Sequence, residues 1–139
     1  MRFYSVAVAA LAIDAPLKWT DNLLAHHTIV EVAHRQRGVA RGISWHALVR
    51  MAVIRELHVR LGCAVREAVA LSGHLLDPAH GSPLPAGVLT LVLDRDTLER
   101  DLHSRLRDAL ESAPRPRRGR PPVKGRRGGR MAGPVSAEP

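Results

Sequence analysis

The chain has 139 residues, a formal net charge of +8 and only four aromatic residues, enough for one small domain with a core built from Leu, Val, Ile and Ala. Cys63 is the only cysteine, which excludes an intramolecular disulfide. No apolar run approaches the roughly 20 residues that a membrane-spanning helix needs, so no membrane partner is expected.

In chain order, Met1–Ala12 combines an early Arg, an apolar run and an Ala10-Leu11-Ala12 ending. It falls short of the roughly 15–30 residues of an export signal and reads as a buried first helix, Val6–Ala12, capped by Ser5. Asp14-Ala15-Pro16 is a turn, because the residue before a proline avoids the helical region. Leu17–His26 forms a second short helix with Leu17, Leu23 and Leu24 as its apolar positions. Thr28–Ala33 is β-prone, Arg35-Gln36-Arg37-Gly38 reads as a hairpin tip, and Val39–Ile43 as the return strand. Ser44 opens the clearest helix, Trp45–Leu61, with Trp45, Val49, Val53, Leu57 and Leu61 at i, i+4 steps and Gly62 as its stop. Ala64–Leu76 is a further helix burying Val65, Ala68, Val69 and Leu75–Leu76. Asp77–Gly87, with three Pro and two Gly, is a loop. Val88–Leu93 is a lone strand with open edges that a second copy can pair with. Asp96-Thr97-Leu98-Glu99 resembles a capping box and starts a helix, Thr97–Leu110, with Leu98, Leu102, Leu106 (or Ala109) and Leu110 on one face.

Residues 113–139 differ from everything before them. They hold eight Lys or Arg against one Glu, whereas residues 1–112 hold 13 basic and 12 acidic side chains. Six Pro and five Gly in the same stretch leave too little apolar surface to offset ordering entropy, so the tail is expected to stay unfolded and bind a polyanion.

Two sets of residues point to a partner. Pro116-Arg117-Arg118-Gly119-Arg120-Pro121-Pro122 resembles an AT-hook. Prolines keep such a segment extended, and Gly119 lets the backbone approach a groove floor. Flanking arginines follow the negative potential of a narrow A·T minor groove. The resemblance implies that Arg118 and Arg120 enter the groove and that Arg117, Lys124, Arg126 and Arg127 meet phosphates. Arg126-Arg127-Gly128-Gly129-Arg130 also resembles an RGG-type RNA-binding segment, and a generic polycation reading stays open.

The second set is Arg41-Gly42-Ile43-Ser44 leading into the long helix, which resembles the wing-to-helix passage of MerR-type winged-helix regulators. The preceding helix pair and hairpin follow that family's order over about Tyr4–Leu76. Lys18-Trp19 matches the basic-aromatic pair of the family's recognition helix, and Arg41 the basic residue after the wing. The resemblance implies major-groove contacts by Lys18, Trp19, Thr20 and Asn22 and backbone contacts by Arg35, Arg37 and Arg41. Solvated charge is the competing reading of these cations, and core packing that of Trp19. The chain lacks the family's long C-terminal coiled-coil helix, so effector sensing does not carry over.

The expected architecture is mainly α with a small β component: a winged helix-turn-helix over residues 1–76, a loop and strand–helix appendage over 77–112 that serves dimerisation, and a disordered basic tail over 113–139. The eight histidines and Cys63 show no metal-ligand or nucleophile spacing, so neither cofactor, metal nor catalysis is expected. The expected function is that of a cytoplasmic, nucleoid-associated DNA-binding transcriptional regulator acting on A·T-rich duplex. Homodimerisation and a protein partner are both admitted. An antitoxin-like operator binder and an RNA-binding protein are the alternatives.

Overall fold

The structure is a computed structural model that describes residues 2–33, 41–79 and 81–114. It is mainly helical, with five helices and five short strands among the described residues: β1 (Phe3–Tyr4), α1 (Val6–Ala12), α2 (Leu17–His26), β2 (Val32–Ala33), β3 (Gly42–Ser44), α3 (Trp45–Leu61), α4 (Val65–Leu75), β4 (Leu84–Ala86), β5 (Leu89–Leu91) and α5 (Arg95–Ser112). None of these helices is long and apolar enough to cross a membrane.

The helix ends follow from local chemistry. The Ser5 hydroxyl accepts from Val8 N at 3.2 Å and caps α1. At the other end Asp14 takes φ +53°. Ala15 N donates to Ala10 O at 2.9 Å and Asp14 N to Leu11 O at 3.2 Å. That bond pair is a Schellman stop, with Asp standing where Gly is usual. Pro16 then opens α2. Gly62 adopts the left-handed conformation after α3 (φ +68°). Asp94, two residues ahead of the capping box expected at Asp96, caps α5 by accepting from Thr97 N at 3.1 Å and from the Thr97 hydroxyl at 2.8 Å. The helix consequently starts at Arg95.

Core formation centres on α3. Ala47, Leu48, Val49, Met51, Ala52, Val53, Ile54 and Leu57 are all buried, more than the single i, i+4 stripe read from the sequence. The reason is position: α4 and α5 pack on this helix and β3 adjoins it, so most of its circumference is covered. The ends of that stripe fare differently, with Trp45 half-buried and Leu61 exposed. α1 buries Val8, Ala9, Ala10 and Ala12 and packs on both α2 and α5. Its small side chains present little bulk to the two neighbours.

α5 contributes Leu102, Leu106 and Ala109 to the same buried cluster as α1 and α3. The helix of the segment expected as an appendage therefore packs within the core, while the β4–β5 hairpin of that segment stays largely exposed. Ala109 is buried in place of Leu110, which stays exposed.

Two antiparallel sheets complete the fold, one ordered β1-β3-β2 and the other β4-β5. β1 lies where the sequence suggested only the approach to α1. Val32 pairs with Ile43 and Ala33 with Gly42, so β2 is shorter than the β-prone run Thr28–Ala33. Its start is set by a turn in which Glu31 takes φ +68°. Gly42 is needed at the β1–β3 contact, since an added Cβ would lie 3.0 Å from Phe3 Cβ. The strand expected alone at Val88–Leu93 is paired: Leu84–Ala86, expected as loop, runs antiparallel to Leu89–Leu91. Gly87 (φ +66°) at the first position of the two-residue connection suits a type II′ hairpin turn.

Candidate nucleic-acid interface

α2 divides cleanly into two faces. Thr20, Leu23 and Leu24 are buried, while Lys18, Asp21, Asn22 and Ala25 are exposed at the i, i+3, i+4, i+7 spacing of a single stripe. Lys18 and Asn22 thus project outward as expected of a groove-facing helix. Asp21 between them cancels the charge of Lys18, so this face carries no net positive charge.

Thr20 is corrected by the structure. It is fully buried, and its hydroxyl donates to Pro16 O at 3.1 Å. Position 20 shares the inward face with Leu23 and Leu24, so Thr20 has no access to a base edge. Trp19 is drawn partly inward. Its half-buried ring packs toward α3, stacked on His58 with centroids 5.8 Å apart, and the Arg55 guanidinium lies over it at 4.9 Å. Arg55 Nε also donates to Asp14 O at 3.3 Å, and His58 Nδ1 to Cys63 O at 2.8 Å. Together these contacts lock the turn before α2, the first turn of α2 and the C-terminal half of α3. Arg55 was missed in the sequence because, on a helix pattern, it reads as one more solvated charge.

Arg41 is half-buried immediately before β3. The β2–β3 pairing makes residues 34–41 the connection between two antiparallel neighbours. Arg35 and Arg37 on that connection lie outside the described residues, as do Arg117, Arg118, Gly119, Arg120, Lys124, Arg126 and Arg127 of the tail. Lys18 and Asn22 share one exposed stripe of α2, and Arg41 precedes β3.

The base of this connection is held by Ser44. Its hydroxyl accepts from Ala47 N at 3.1 Å and donates to Glu31 Oε2 at 3.1 Å, and its N–H reaches Glu31 O at 3.4 Å. One residue therefore caps α3 and fastens the left-handed Glu31 turn at the entry to β2. Arg50 performs a similar service behind the site. Nε donates to the buried Ser72 hydroxyl and Nη2 to Val69 O, both at 3.1 Å, joining α3 to α4. Burial lowers the Arg50 pKa from its ordinary value, yet a guanidinium stays charged at any working pH.

Charge is uneven within the folded part as well. Residues 1–66 carry nine basic and four acidic side chains, and residues 67–112 carry four basic and eight acidic ones. The +1 of residues 1–112 conceals this division, a signal visible only when the chain is cut at α4. Among the described residues no group of three His, Cys, Asp or Glu side chains is placed to hold a metal ion.

The chain matches no protein-family model, no curated protein and no solved structure.

Proposed function

We propose that the protein binds DNA and acts as a transcriptional regulator in the cytoplasm, through a MerR-like winged helix-turn-helix followed by a basic tail with an AT-hook-like core. The observation that carries this reading is the order and pairing of elements in the basic half of the chain. A helix pair with a tight stop is followed by two antiparallel strands, and the second strand runs into the central helix through the Ser44 cap. In this reading α2 offers Lys18 and Asn22 to the major groove. Arg41 and the Arg35–Arg37 connection meet the flanking backbone. The tail supplies affinity and an A·T preference through Arg118 and Arg120. With Thr20 withdrawn and the Trp19 ring engaged by His58 and Arg55, α2 has little to read bases with, so the tail carries more of the selectivity than a helix-only reader would require.

Fluorescence anisotropy over a salt series tests this, with an A·T-rich duplex, a G·C-rich duplex and a matched RNA. Tail contacts to about five phosphates should contribute roughly −4 to −5 to the slope of log affinity against log salt. Arg118→Ala with Arg120→Ala should remove the A·T preference. Lys18→Ala with Arg41→Ala should weaken duplex binding while leaving that preference intact. Equal binding of all three ligands, unchanged by either pair, rejects the proposal. Tighter binding of the RNA favours the Arg126–Arg130 segment acting on RNA instead.

A further inference from the structure

β5 pairs with β4 on one side only among the described residues. Val88, Leu89 and Val92 have 101%, 67% and 75% of their surface exposed, in a run, Val88–Leu93, with no charged side chain. Among the described residues no strand lies beyond β5. The direction of its main-chain groups is fixed by one bond: Leu93 N donates to Ser82 Oγ at 2.8 Å, toward the β4 side. Main-chain donors alternate along a strand, so residues 89, 91 and 93 turn toward β4, while the amide and carbonyl of Thr90 face the open side.

The two edges of this hairpin are not equivalent. Pro85 is the register partner of Thr90, which places its ring and missing N–H on the outer edge of β4. Proline in that position is a recognised way of closing an edge. β5 has no such block.

The occupant follows from the sequence of the strand. Val88-Leu89-Thr90-Leu91-Val92 is a palindrome. Antiparallel pairing about a two-fold axis through Thr90 sets threonine against threonine, leucine against leucine and valine against valine, and like apolar and threonine pairs stabilise such ladders. The same axis explains Leu89. Leu91 and Leu93 of the same face line a mostly apolar cavity of about 190 Å³ with Val53, Leu57, Leu75 and Leu98, rimmed by Glu56 and Arg60, whereas Leu89 is left 67% exposed. In the paired arrangement each Leu89 falls opposite the partner's Leu91, at the rim of that cavity.

We propose that the protein forms a two-fold dimer through β5, giving a four-stranded sheet ordered β4-β5-β5-β4, with the isologous contact that a C2 dimer requires. This holds whether or not the chain binds DNA. Sedimentation equilibrium of the full chain should show a concentration-dependent dimer. Thr90→Pro should weaken it roughly tenfold or more, since both central main-chain bonds are lost, while helical circular dichroism is kept because that N–H does not serve the hairpin. In a Cys63→Ser background, Thr90→Cys should yield a covalent dimer on mild oxidation, its paired Cα atoms lying about 5.5 Å apart, and Pro85→Cys should not. If Thr90→Pro fails to fold, the cysteine pair decides. A chain that stays monomeric, a dimer indifferent to a folded Thr90→Pro, or equal cross-linking at positions 85 and 90 would each overturn the proposal. A Thr90 amide protected from exchange in the monomer would place another part of the same chain on this edge, with the same consequence.

Discussion

The two small sheets contrast sharply although both are built from strands of two or three residues. In the first, Ile43 is fully buried, and Val32 and Ser44 are buried with it. In the second, no residue of either strand is fully buried, and its connection exposes Val88 completely. Short ladders contribute little by themselves. The first sheet is held by the side chains beneath it and by the Ser44–Glu31 bonds, whereas the second rests on Leu84, Leu91 and Leu93 packed at the margin of the core. A segment held in this way has surface left over for a partner.

The largest effects should come from the buried side of this contrast. Ile43→Ala should lose about 2–5 kcal/mol of unfolding free energy, as should Leu106→Ala, whereas Leu89→Ala should lose well under about 1 kcal/mol in the monomer. Chemical denaturation gives all three. A Leu106→Ala variant in which α1–α4 unfold at an unchanged midpoint would show that α5 is peripheral after all. Ser44→Ala should cost about 0.5–2 kcal/mol from the cap alone and should also loosen the Glu31 turn, visible as faster amide exchange at Val32 and Ile43. Gly62→Ala should cost about 1 kcal/mol, because a Cβ there must occupy the left-handed region, although no neighbour lies within 4 Å to obstruct it. The smallest effect concerns the hairpin's exit at Asp94. Hydrogen bonds from the Thr97 side chain, then its main chain, lower the Asp94 pKa below its ordinary value. A depressed carboxylate contributes stability that is fully present above the unfolded value of about 4 and is lost as pH falls through the folded one. Asp94→Ala should therefore flatten the acid limb of a pH–stability profile and leave neutral pH less affected than Ser44→Ala does.

The helices were legible because their signals are local. Ser5, Ser44 and Gly62 act on neighbours three to five residues away, and α3 runs over the very residues that its pattern marks. The candidate interface was legible only in outline. Lys18 and Asn22 face outward as their residue types suggest, but Thr20 looks equally suited to a base edge. Its burial depends on which side of α2 meets α1 and the core. Trp19 likewise carries no sequence mark that distinguishes a base contact from packing against Arg55 and His58, which lie some 40 residues further along the chain. β4 was hidden because Pro85 and Gly87 carry loop signals that a blocked edge and a tight turn satisfy equally well.

Read alone, the sequence marks the bounds of α1, α2 and α3, the mainly helical class and the separation of a basic tail from a body of nearly balanced charge. Each depends on composition or on contacts within a turn or two. Only the packed molecule shows that α5 closes the same core as α1 and α3, that Thr20 turns away from solvent while the Trp19 ring packs on His58 and Arg55, and that the β4–β5 hairpin has a proline on one outer edge and none on the other. Those outcomes depend on which faces meet across long stretches of chain, and burial of apolar surface is non-directional until the partners are in place.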